Sequence, residues 1–472
     1  MALSIYNTVS KTKERFVPMR EGHVSMFVCG QTPYDDAHLG HAKTYINFDI
    51  VARWLRHRGY EVTYIQNITD IEDKIINRAE EQGIGSIELA RRYEKLFLED
   101  MEKIGVRKGV TDYPRSHDYI TQIRDQIQLL VDRGYAYELE GDVYFDVLKF
   151  EDYTKLSGMK LAELEKHRIE PKEGKRNPYD FVLWKTAKPN EDAQWGIELT
   201  FNGKKTQLHG RPGWHIEDTA IAHHFFGPQY DIHGGAIELI FPHHTNEIAQ
   251  AEGAYGVKPY VRFWMHSGVL NIKGVKMSKS LRNFIKIRDV IGKYHPEALR
   301  LMFCTAHYRS EIEYKEDLIK EASRRLAYIR AAVGAIYNMK GEPTQNGIAG
   351  LEDEFKRFED AMDDDFNTPM ALAALYGAAG KLRAFAEANE TIGEEAKGFA
   401  INGFVRAAHI LGLLEDESYK KDIPIEAKRL IAERDRLRKE KLFTGADSIR
   451  AALHNEYGIT VEDTEYGTIW YR

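Results

Sequence analysis

Phe27–Asp70, FVCGQTPYDDAHLGHAKTYINFDIVARWLRHRGYEVTYIQNITD, is the stretch that decides the fold. An apolar run from Val24 to Cys29 leads into it, bulky residues recur at helical spacing from Tyr45 to Arg56, and a β-rich run, Val62 to Gln66, follows Gly59. Strand, turn, helix and strand in that order predict a βαβ unit. Parallel strands of such a unit end on one side, and a ligand site forms there, here beside a turn rich in histidine.

Beyond this unit the rhythm changes. From about 111 to 200, helical stretches give way to GDVYFDV and to the basic, proline-containing EPKEGKRNPYDFVLWK. An insertion between two halves of an α/β domain has this pattern, and so has an ordinary extension. The glycine-rich GRPGWH then opens a second α/β-like stretch that reaches about 270 and contains YDIHGG and ELIFPHH. After about 310, RRLAYIRAAVGAI and ALAALYGAAGKLRAFAEA carry apolar residues at helical spacing. The charged helical stretch ERDRLRKEKL and the strand-like and turn-like GITVEDTEYGTIWYR come last.

A chain of 472 residues is long enough for several cores, so a multidomain protein is expected. With 43% hydrophobic and 29% charged residues the balance is globular rather than disordered. Against 73 acidic residues stand 66 Lys and Arg, a net charge of -7. That total does not mark a nucleic-acid binder, yet it leaves room for a basic patch where phosphates touch. Cys29 and Cys304 are the sole cysteines, which gives no disulfide framework and favours a reducing compartment. The opening MALSIYNTVSKTKERF lacks a signal-peptide core and no later run is apolar enough to span a bilayer, so the expectation is a cytoplasmic protein without membrane contact.

His38-Leu39-Gly40-His41 falls between the first strand and the first long helix. Glycine between the histidines admits a ligand to the backbone, and a helix start offers N–H groups to negative charge. On its own H-x-G-H fits phosphate binding and equally a pair of capping histidines. Lys276-Met277-Ser278-Lys279-Ser280 puts two lysines in a short polar loop, where each acts as a point charge on phosphate, or makes a solvated basic turn. Cys29 closes the first strand, and His243 and Glu247 stand at i and i+4, on one face if that stretch is helical. Thiolate, imidazole and carboxylate together suit zinc better than magnesium; the alternative is a buried thiol beside capping histidines.

The pair HLGH and KMSKS resembles the two signatures of class I aminoacyl-tRNA synthetases and their nucleotidyl-transferring relatives. The chain as a whole resembles the cysteinyl-tRNA synthetases. The likeness runs through Cys29-Gly30, Asn67-Ile68-Thr69-Asp70, Arg176 to Lys185, Gly210 to Glu217, Asp231 to Gly235, Phe241 to Gln250, Met362 to Pro369 and the terminal Gly467-Thr468-Ile469-Trp470. It implies an α/β fold: a class I, Rossmann-like catalytic domain with an inserted connective domain, then a mainly helical C-terminal region and a small anticodon-contact segment. The implied division is 1–110 for the first catalytic half, 111–200 for the insertion and 201–270 for the second half. It continues with 271–310 for the KMSKS loop and stem contact, 311–400 for a helical bundle and 401–472 for the anticodon-contact region.

The implied activity is ATP-dependent ligation of L-cysteine to tRNA(Cys) through a cysteinyl adenylate, releasing AMP and diphosphate, by a monomer. Magnesium would accompany ATP as substrate. His38, His41, Lys276 and Lys279 would be catalytic, with Gly40, His38, His41 and Lys279 around the nucleotide. Thr69, Trp214 and His233 would surround the amino acid. One zinc ion per chain would be held by Cys29, Asp218, His243 and Glu247. Asp218 is a departure, because the family commonly has GWHIEC where this chain has GWHIED. Glu238 likewise stands where the family usually has aspartate. Alternatives are a cysteine ligase acting on a small amine, of the mycothiol-synthesis type, and a non-catalytic tRNA-binding paralogue. The helical C-terminal half argues against the first, intact HLGH and KMSKS against the second.

Overall fold

The computed structural model describes residues 2–160, 172–188, 191–272, 274–277, 284–339, 341–388, 390–420, 424–464 and 467–471. The stretch that decides the fold forms a strand, His23–Gln31 (β1), a helix, Leu39–His57 (α1), and a second strand, Glu61–Ile68 (β2). β1 and β2 pair in parallel, Val24 opposite Val62 and Phe27 opposite Ile65. Both strands are buried on both faces, as strands covered on each side by helices must be.

The second half of the sheet comes from far along the chain. Helix Ile216–Phe226 (α2) precedes strand Tyr230–Ala236 (β3), and helix His243–Tyr255 (α3) precedes strand Val261–Ser267 (β4). The spatial order is β4-β3-β1-β2, every pair parallel, so the strand order reverses beside β1. A crevice at that reversal is where open parallel sheets place ligands. Asp231 ties the halves together: its carboxylate accepts from Met19 N, Ser25 N and Ser25 Oγ at 2.6, 2.9 and 2.7 Å. Lys43 does the same for α1. It is 1% exposed and its ammonium donates to Ser267 Oγ, Gly268 O and Tyr308 O at 3.2, 2.7 and 3.1 Å, which satisfies a charge that burial alone would expel.

Between β2 and α2 stands an antiparallel sheet of five strands. In spatial order these are Ala136–Leu139, Asp142–Phe145, Phe181–Thr186, Lys204–Pro212 and Trp195–Phe201. The expected boundary at 200 is therefore displaced. It falls beside a hairpin whose two turn residues, Asn202 and Gly203, both have positive φ, and the sheet continues to Pro212.

Two compact units emerge, residues 2–290 with 308–314, and residues 291–307 with 315–472. The second is built from helices Pro296–Cys304, Glu316–Tyr337, Leu351–Asp363, Thr368–Glu387 and Glu394–Ile410. The expected boundary at 400 cuts the last of these. Ala400, Phe404, Ala407 and Ala408 are buried at helical spacing, which commits that whole helix to the bundle. Ile425–Lys439, Phe443–Tyr457 and the hairpin of Thr460–Thr464 with Gly467–Tyr471 follow. Arg434, inside the charged stretch ERDRLRKEK, is fully buried and bonds Asp463 at 2.9 and 2.5 Å, so it is a structural cation rather than part of a phosphate-facing surface. The side chains of Trp470, Tyr471 and Arg472 lie outside the described residues. Among the described residues no helix is long and apolar enough to cross a membrane.

Candidate active site and metal centre

HLGH forms the start of α1, and the rings serve the helix before they serve any ligand. His38 is the N-cap; its Nδ1 accepts from Gly40 N at 3.1 Å, and His41 Nδ1 accepts from His38 N at 3.2 Å. The rings stack with centroids 3.8 Å apart. Because Nδ1 of each ring accepts, the proton of the neutral imidazole resides on Nε2, which makes both rings donors there. The two readings of H-x-G-H are thus compatible in one geometry. A Cβ at Gly40 would stand 2.9 Å from the His38 ring, so glycine is what lets the cap close.

Of the KMSKS loop, Ser278, Lys279 and Ser280 lie outside the described residues, as does the side chain of Lys276. Its flanks are described. Met277 N donates to Leu270 O at 3.0 Å on one side. On the other, Leu39 N donates to Ile285 O at 2.9 Å, Ile287 N donates to Ala37 O at 3.1 Å, and the Phe284 ring centroid is 6.2 Å from that of His38. The segment after the loop is thereby zipped onto the HLGH turn.

The second cluster sits at the carboxyl end of β1. Cys29 Sγ lies 3.3 Å from His233 Nε2, 3.1 Å from His244 Nε2 and 3.7 Å from Glu247 Oε1. His243 Nε2 faces Glu247 Oε1 at 2.9 Å and Asp218 Oδ2 at 3.1 Å. α3 carries His243 and Glu247 on one face, as their spacing predicts, while α2 supplies Asp218 within its first turn. Two overlapping sets of four buried donors result. Cys29, Asp218, His243 and Glu247 form one, and Cys29, His233, His244 and Glu247 the other.

The donors of this cluster could hold a metal ion. Burial, then the charges of Glu247 and Asp218, push the Cys29 thiol well up. Burial raises Glu247 to about 7 although His243 opposes it. Burial disfavours charge on His243, but Glu247 and Asp218 outweigh it and hold it up at about 10. Burial drives His233 and His244 well down, leaving neutral rings. Lone pairs from a thiol, two carboxylates and several imidazoles converge in a volume closed to water, a donor set that fits zinc and is too soft for magnesium.

Outer contacts fix these groups. His215 Nδ1 meets His243 Nδ1 at 2.7 Å, His266 Nε2 meets His244 Nδ1 at 2.8 Å, and Tyr230 OH meets His233 Nδ1 at 2.5 Å. Trp214 stacks on His243 with centroids 4.7 Å apart. Thr69 is buried and its Oγ1 accepts from Asn67 Nδ2 at 3.2 Å. His233, expected among the substrate-binding residues, stands against Cys29 itself. Glu238 is exposed in a short turn, Ile237–Ile240. A cavity of about 110 Å³ borders the cluster, walled by Trp214, His215, Asn246, Tyr153 and Arg211.

The family model for the tRNA synthetases class I (C) catalytic domain matches residues 15–324, and the DALR domain matches 357–415. A cysteine–tRNA ligase of Thermococcus onnurineus is 44% identical over 489 residues, covering 100% of this chain and 99% of the relative. The chain belongs to the cysteine–tRNA ligase family. Another cysteine–tRNA ligase, from Acinetobacter baylyi, is 41% identical across 99% of this chain and 98% of its own length. Among solved structures, Mycobacterium tuberculosis methionyl-tRNA synthetase in complex with methionyl-adenylate aligns at a TM-score of 0.58 and 15% identity over 82% of this chain and 89% of that one. That likeness shows the fold, while the family model assigns it as a class I synthetase catalytic domain. Within a cysteine–tRNA ligase frame, sequence reasoning missed Asn67, His215, His244 and His266 as neighbours of the cluster. The doublet His243-His244 was the available signal: adjacent helical residues point about 100° apart, so a doublet can serve two neighbouring groups.

Proposed function

We propose that the protein ligates L-cysteine to tRNA(Cys) using ATP with magnesium. One observation carries the reading. A chain that aligns end to end with cysteine–tRNA ligases places a histidine-capped helix start and a buried thiol-imidazole-carboxylate cluster at the same edge of one parallel sheet. Full-length alignment favours transfer to tRNA over a small-amine acceptor or a non-catalytic paralogue.

In the first step a carboxylate oxygen of cysteine attacks the α-phosphorus of ATP, the bond to the β-phosphate oxygen breaks, and diphosphate leaves. The substrate carboxylate is already ionised, so positioning and charge stabilisation carry the chemistry without a general base. His38 and His41 donate through Nε2 to phosphate oxygens, the helix start and Gly40 admit the nucleotide, and Lys276 and Lys279 supply positive charge. In the second step a ribose hydroxyl at the tRNA terminus attacks the acyl carbon and AMP leaves. Thr69 meets the polar backbone of the amino acid and Trp214 forms an apolar wall.

Cys29, Asp218, His243 and Glu247 would hold one zinc ion per chain, which when bound would supply a preference for a thiolate over an alkoxide. His233 orients groups around Cys29. Serine has nearly the shape of cysteine, and shape alone separates such pairs poorly. The protein works as a cytoplasmic monomer, with the inserted sheet as a connective domain and the helical unit as the tRNA-stem and anticodon contact.

The test is cysteine-dependent diphosphate exchange and acyl-tRNA formation by purified protein, with serine as competitor, alongside metal analysis of wild type and Asp218→Ala. Exchange without transfer to tRNA would move the reading to a small-amine ligase. A fully active wild type without stoichiometric metal would remove zinc from it.

A further inference from the structure

Asn67, the penultimate residue of β2, lies between two of the proposed ligands and is fully buried. Its Oδ1 accepts from Gly30 N, the residue after Cys29, at 2.7 Å. Its Nδ2 donates to Asp218 Oδ1 at 2.5 Å and to Thr69 Oγ1 at 3.2 Å. One carboxamide thus touches the end of β1 that carries Cys29, the carboxylate of Asp218 and the hydroxyl of Thr69. The approach is close: a Cβ on Gly30 would fall 1.5 Å from the Asn67 carbonyl oxygen.

A carboxylate poses a problem that a thiolate does not. It has two equivalent oxygens, and it can turn about its last bond or bind a metal through one oxygen or both. A donor fixed on Oδ1 removes that freedom. With Asn67 Nδ2 on Oδ1, Asp218 presents Oδ2, the oxygen 3.1 Å from His243 Nε2, to the donor cluster. Contacts of this kind around a metal site orient its ligands, and their loss typically costs on the order of 10 to 100-fold in metal affinity.

We propose that Asn67 is a positioning residue of the metal site, clamping Asp218 as a one-oxygen ligand while holding the Cys29 end of β1 at the matching distance. This rests on the zinc reading above and adds a residue to it. The requirement is specific to a carboxylate at 218, because a sulfur has one donor atom and no second oxygen to restrain.

The experiment is a double-mutant cycle read by zinc affinity in chelator competition and by the visible spectrum of the cobalt(II) form. Asn67→Ala and Asn67→Asp are compared in the native chain and in an Asp218→Cys background. Asn67→Asp keeps the acceptor for Gly30 N–H and replaces the one nitrogen that donates to Asp218 and Thr69, so it serves if Asn67→Ala does not fold. In the native chain zinc affinity should fall about 10 to 100-fold and the cobalt bands should lose tetrahedral intensity. In the Asp218→Cys background the same changes should cost less than about 3-fold. Equal losses in both backgrounds, or unchanged affinity in the native chain, overturn the positioning role while leaving the zinc reading intact. A wild-type chain that binds no zinc overturns both.

Discussion

His243 Nε2 lies 2.9 Å from Glu247 Oε1, so two residues one helical turn apart share a proton position in the middle of a buried donor cluster. Glu247, His243 and Cys29 are all held above their ordinary values. Glu247 and His243 therefore keep the proton they share, and Cys29 its own, to higher pH in the metal-free protein, and a metal must displace those protons. Zinc binding should release protons and should tighten steeply between about pH 6 and about pH 8. Calorimetry in buffers of different ionisation enthalpy measures the release directly. An affinity that is flat across that range would contradict the sharing.

His38 has two duties that one pair of substitutions separates. His38→Ala removes both the cap on Gly40 N and the Nε2 donor, whereas His38→Asn restores a good N-cap without an imidazole. Thermal unfolding should show about 1 kcal/mol lost for alanine and little lost for asparagine. Cysteine-dependent diphosphate exchange should drop by roughly 10²-fold in both. Retained exchange in His38→Asn would make the histidine a cap alone.

Gly30 has no room for a methyl group, because Asn67 O lies where the Cβ would go. Gly30→Ala should cost about 3 kcal/mol or more in urea unfolding as β1 and β2 are forced apart. A neutral outcome would mean that the strands separate there without penalty.

His117 donates to Asp70, and that hydrogen bond, against the opposing effect of burial, raises its pKa above the usual value. A raised histidine adds stability that is complete below its unfolded pKa and fades as pH climbs through the folded one. The contribution should thus be present below about pH 6.5 and disappear above the raised value. Nuclear magnetic resonance titration of the His117 ring, in wild type and Asp70→Asn, reads the shift; the midpoint should drop in the variant. Stability that rises with pH through this window and depends on His117 would reverse the sign.

Much of the fold could be read from local pattern, and the reasons are local too. α1 announces itself because Tyr45 to Arg56 keeps helical spacing after a capping residue, and β1 because an uninterrupted apolar run suits a strand covered on both faces. The boundary at 200 strayed although FNGKK held its correction, since Asn-Gly between alternating residues is a hairpin turn. The spacing of His243 and Glu247 predicted one helical face, and the structure puts them there. His215, His244 and His266 were hidden because they meet their partners only across the fold, from different strands and helices. Apart from the His243-His244 doublet, nothing in their immediate neighbourhood distinguishes them from ordinary polar residues.

Gly213-Trp214-His215 alone separates the last strand of the inserted sheet, ending at Pro212, from α2, which brings Asp218. The insertion is therefore a handle fixed to one wall of the buried donor cluster. A strain applied at the far hairpin, Asn202-Gly203, has a covalent route of few joints to the Asp218 carboxylate. Trimming the insertion would require rebuilding that wall, so the length of one part and the geometry of the other are tied through three residues.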